Sequence, residues 1–74
     1  MLLMDGFAPA LLGVASRCGQ PQVAVYGFDE MVQVLISRDG MTEEEAVEYV
    51  EYNCEGAWVG EDTPMILRRF SEFD

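Results

Sequence analysis

Residues 39–56 read DGMTEEEAVEYVEYNCEG, and few folds suit such a stretch. Thr42 is followed three residues later by Glu45. At that spacing a threonine hydroxyl and a glutamate carboxylate satisfy the free amides of a helix start. Glu43 and Glu44 fall in the same first turn, where the helix dipole favours negative charge. Ala46, Val47, Val50 and Cys54 then recur at helical spacing and form an inward stripe, flanked by Tyr49 and Tyr52. Asn53 and Gly56 suit the far end. A helix therefore starts at Thr42, and the rest of the chain has to cover its apolar stripe.

The remaining elements are short. FAPALLGVASR (7–17) reads as a first helix: Asp5 is a candidate cap, Pro9 fits a first turn, and Leu11, Leu12 and Ala15 recur before the stop at Gly19. VAVY (23–26) is β-branched and reads as a buried strand. FDEMVQVLISR (28–38) reads as a second helix whose apolar arc, widened by Val34, exceeds what a surface helix needs; Asp39-Gly40 ends it. MILRR (65–69) reads as a second strand. The expectation is one α+β domain over residues 1–74, ordered helix, strand, helix, helix, strand. Residues 1–5 and 70–74 are expected to fray. Two short strands are marginal alone, so they must pack on the helices or be completed by a second copy.

Composition narrows the function classes. Half of the 74 residues are hydrophobic, a large share for a domain with so thin a core, and self-association is one outlet. Fourteen acids against four arginines give a net charge of −10, with no lysine and no histidine. Such a surface repels nucleic acid and anionic lipid and attracts basic proteins. Without histidine or lysine there is no Ser-His, Cys-His or His-metal arrangement and no Schiff-base or P-loop lysine. The expectation is a non-enzyme with no catalytic residues, no metal and no cofactor. Cys18 and Cys54 lack zinc-site spacing and read as small core residues. No signal sequence or membrane-length run is visible, which points to the cytoplasm.

Three features could recognise a partner. Glu44, Glu48, Glu51 and Glu55 are spaced by four, three and four, and no base within the helix pairs with them. They form either a solvated face or an acidic ridge that docks on a basic groove. Arg17, beside the turn CGQP, is the best-placed arginine for an anion; Arg68 and Arg69 should diverge from one strand. Trp58, between Gly56 and Gly60, either closes the core or forms an exposed platform.

RCGQP (17–21), VAVY (23–26), DGMTEEEAVEYVEYN (39–53) and GAWVGEDTP (56–64) resemble segments of a group of small bacteriophage and bacterial proteins. The resemblance runs from about Ala10 to Leu67. It implies a phage or mobile-element accessory role and brings no activity with it. By analogy of class, small acidic phage proteins bind and block host proteins, including nucleic-acid-handling and anti-phage defence proteins.

Two functional expectations result. The first is a homo-oligomeric inhibitor that binds a basic host protein through Glu44, Glu48, Glu51 and Glu55. The second is an oligomeric binder of a small ligand such as a nucleotide signal, held at a subunit interface by Arg17, Gln20, Tyr26 and Trp58. Closure of the core by Trp58 predicts blue-shifted emission and an unfolded Trp58→Ala variant. A Trp58→Ala protein that folds but loses its partner would place Trp58 on a platform instead.

Overall fold

A hairpin opens the structure. Leu11–Arg17 (β1) and Gln20–Gly27 (β2) pair antiparallel, with Val14 opposite Ala24 and Arg17 opposite Gln20. Gly19, at φ +75, supplies the left-handed residue that the two-residue connection requires. The computed structural model describes residues 1–55 and 60–69. Within them the α+β class is as expected, but the first segment departs from the helix expected over 7–17. Only Ala8–Ala10 is helical, as a single 3-10 turn with Pro9 in it and without a side-chain cap from Asp5. Gly13 disfavours a continuing helix and Val14 favours a strand. The Cys18-Gly19 turn then folds β2 back as a full-length partner, and that pairing overrides the helical spacing of Leu11, Leu12 and Ala15.

From β2 the chain enters Phe28–Asp39 (α1), then Glu43–Val50 (α2), a π-helical turn over Glu51–Glu55, and finally Met65–Leu67 (β3). The sheet order is β1-β2-β3, with β3 parallel to β2: Val25, Tyr26 and Gly27 align with Met65, Ile66 and Leu67. All strands pair within one chain. Arg68 and Arg69, expected inside the last strand, lie just beyond it.

The helix junction obeys local rules. Gly40 sits at φ +70, its amide donating to the Ile36 carbonyl while the Met41 amide donates to that of Leu35. The left-handed glycine with its bond to Ile36 is an αL ending. Thr42 and Glu45 form the expected capping box: the Thr42 amide donates to Glu45 Oε1 at 2.9 Å, and the Glu45 amide to Thr42 Oγ1 at 3.2 Å. Three residues thus end one helix and start the next.

The core lies between one sheet face and the two helices. Tyr26, Met31, Leu35 and Val50 are its largest fully buried side chains, packed with Ala10, Ala24 and Ala46. Val34, Ile36, Val47 and Ile66 pack on its margin, so most of the wide arc of α1 is covered within the chain. The Tyr26 hydroxyl accepts a 2.8 Å hydrogen bond from the Met4 amide, which ties the N-terminal segment to the sheet.

The capping box should be felt globally, because α2 supplies Ala46 and Val50 to so thin a core. Thr42→Ala is expected to cost about 1 kcal/mol. Thermal melts should show the midpoint lowered by roughly 4–8 °C, the response of a domain of this size.

Candidate functional site

α2 and the turn after it carry the acidic ridge. Glu44 and Glu48 are exposed on α2 and, among the described residues, have no basic partner. Glu51 and Glu55 differ. They lie in the π-helical turn, and Arg68 holds both. Its Nε and Nη2 donate to Glu55 Oε2 and Oε1 at 2.9 and 2.8 Å, and Nη2 also donates to Glu51 Oε2 at 3.1 Å. The same guanidinium lies 3.8 Å from the centre of the buried Phe28 ring. The ridge is therefore half free and half neutralised. Sequence separations of 13 and 17 hid this clamp, which depends on where β3 ends. A possible clue was a close carboxylate pair with no cation in its own helix.

The other two structural arginines work in the same way. Arg69, also beyond β3, donates to both carboxylate oxygens of Glu30 at 2.8 and 2.6 Å. Arg38 pairs with Asp39, lies over the Phe7 ring and donates to the Gly6 carbonyl. Hydrogen bonding to Arg68 is the main force holding the Glu55 carboxyl below the usual carboxylate range, and hydrogen bonding to Arg69 does the same for Glu30. The Glu45 carboxyl is lowered chiefly by the Thr42 backbone amide.

Beside the free half of the ridge stand two tyrosines. Tyr49 and Tyr52 are 40% and 80% exposed, far more than an inward-flanking position would allow. With Met41, Glu45, Glu48 and Asn53 they line a shallow groove of about 350 Å³. Carboxylates next to exposed aromatic rings suit a cationic side chain, by charge and by ring-face attraction.

Of the ligand-binding group expected from the sequence, Arg17 and Gln20 stand opposite each other and Tyr26 is withheld from them. Tyr26 is a core residue, 1% exposed, and its hydroxyl is occupied by the Met4 amide, because its position opposite Ile66 turns it under the helices. Arg17 and Gln20 stand exposed at the hairpin end. Trp58 lies outside the described residues, as do Gly56 and the segment 70–74. The core reading of the cysteines holds only in part. Cys18 is exposed in the hairpin turn, where no element covers it, whereas Cys54 packs against the core margin. Burial, and secondarily Glu55, pushes the Cys54 thiol up.

Among the described residues no group of three histidine, cysteine or acidic side chains is placed to hold a metal ion. No helix there is long and apolar enough to cross a membrane. No family model matches the chain, and no curated protein or solved structure matches it either.

The Arg68 clamp has a pH signature. The lowered pKa of Glu55 means that its contribution to stability is full above the ordinary carboxylate range and is lost as pH falls through the lower folded value. Arg68→Met should melt below the wild type at neutral pH. The gap between the two should close as pH drops below roughly 4. A gap that persisted at pH 2 would assign Arg68 a packing role on Phe28 alone.

Proposed function

We propose that this protein is a small acidic interaction module, without enzymatic activity, that binds a basic protein surface through α2. The observation that carries the reading is the pairing of free carboxylates with exposed aromatics: Glu44 and Glu48 lack counter-charges among the described residues, and Tyr49 and Tyr52 stand out beside Glu48. Arginine and lysine side chains of a partner fit that combination, and the net charge of −10 accelerates their approach at low salt. Glu51 and Glu55 hold the turn in place through Arg68 and contribute to docking only indirectly. This narrows the four-residue ridge to its first half.

The resemblance to phage and bacterial accessory proteins supports a host protein as the partner, in the host cytoplasm, with inhibition as the result. A nucleic-acid-handling or anti-phage defence protein presents the basic surface that this face needs. Self-association belongs to the same proposal, since Leu11, Leu12, Val14, Met65 and Leu67 stand exposed along the sheet.

Capture from bacterial lysate, with salt elution, tests the reading. The wild type should retain a basic protein that elutes steeply with salt. Glu44→Gln/Glu48→Gln should lose it while melting as the wild type does. Retention by that double variant at unchanged salt would sink the proposal.

A further inference from the structure

Three of the four arginines are committed to the fold: Arg38 to Asp39 and Gly6, Arg68 to Glu51 and Glu55, Arg69 to Glu30. Arg17 is the exception. Among the described residues it has no carboxylate partner and no hydrogen bond. An unpaired guanidinium on a chain of net charge −10 is where a small anion is drawn and held.

Arg17 stands at the rim of a groove of about 420 Å³, whose other walls include Ala15, Gln20, Val23, Glu61 and Met65. The groove lies on the sheet face turned away from the core. Ala15 pairs with Val23, and Val25 with Met65, so these four share one side; Ala24 and Tyr26, which alternate with them, pack under the helices. The floor is therefore apolar. Its length follows from the register. Gln20, opposite Arg17, is five residues along β2 from Val25, opposite Met65. At roughly 3.3 Å per residue the groove runs about 16 Å.

Arg17 and the Gln20 amide mark the hairpin end, where an anion is favoured. A single free cation matches one negative charge and leaves a polyphosphate largely uncompensated. Among the described residues none that lines the groove is aromatic. At about 30 Å³ for a water-sized group, the volume admits roughly a dozen non-hydrogen atoms. We propose that this groove binds a small amphipathic monocarboxylate, with the carboxylate on Arg17 and an aliphatic body lying over Ala15, Val23 and Met65.

Octanoate is the probe, titrated into the full chain and followed by methyl and amide NMR shifts. Saturable shifts are expected at Ala15, Val23 and Met65, with octylamine of the same length leaving them unmoved. Arg17→Gln should weaken octanoate roughly tenfold or more, the loss of one charge-assisted contact, with an unchanged melt. Met65→Asn, at an exposed position, should weaken it as well. The proposal is overturned if octanoate causes no saturable shift at these residues, if octylamine binds equally, or if Arg17→Gln binds as the wild type does. It is overturned too if the shifts fall instead on residues outside this groove. If a glutamate-rich peptide moves these residues and octanoate does not, the groove is a protein-docking surface and the small-ligand assignment fails. None of these readouts involves Glu44 or Glu48, so this result and that for the α2 face are independent.

Discussion

The parallel pairing of β3 with the end of β2 is the constraint on which the rest depends. Parallel neighbours cannot be joined by a tight turn and need a crossover of a dozen or more residues. Here the crossover contains both helices. Three residues of ladder are a weak clasp for so long a connection. The two arginines that follow reinforce it, Arg68 gripping the turn after α2 and Arg69 the first turn of α1. Exposed ion pairs contribute little energy individually. Bidentate geometry and the stack on Phe28 make these two matter more for position than for strength.

That closure sorts the charges. With only four cations against fourteen acids, each arginine decides which carboxylates remain available. Arg68 removes Glu51 and Glu55 from the exposed acidic face, Arg69 removes Glu30, and Arg38 secures the N-terminal segment against α1. What is left over among the described residues is informative: an acidic and aromatic patch on α2 without counter-charges, and a guanidinium without a carboxylate at the far end of the hairpin. The two lie on different elements and carry opposite charge, and they suit different partners.

Some of this was legible from residue order and some was not. The capping box and the Gly40 stop followed from local rules, and both are present. The helix expected over 7–17 failed because leucines and alanines at helical spacing also suit a strand, and a partner strand two residues away decides between them. Tyr26 was misjudged as a ligand contact for a related reason. Alternation along a strand says that neighbours face opposite sides, but only packing says which side is the core.

The sequence by itself determined the α+β class, the α1–α2 junction, the excess of negative charge and the scarcity of cations, because these rest on composition and on contacts within six residues along the chain. Tertiary structure alone decided which acids are neutralised, which face of the hairpin is buried and where the free arginine stands. Those outcomes depend on contacts 13 to 39 residues apart. Distances of that kind are set by how the crossover closes, and no local pattern encodes them.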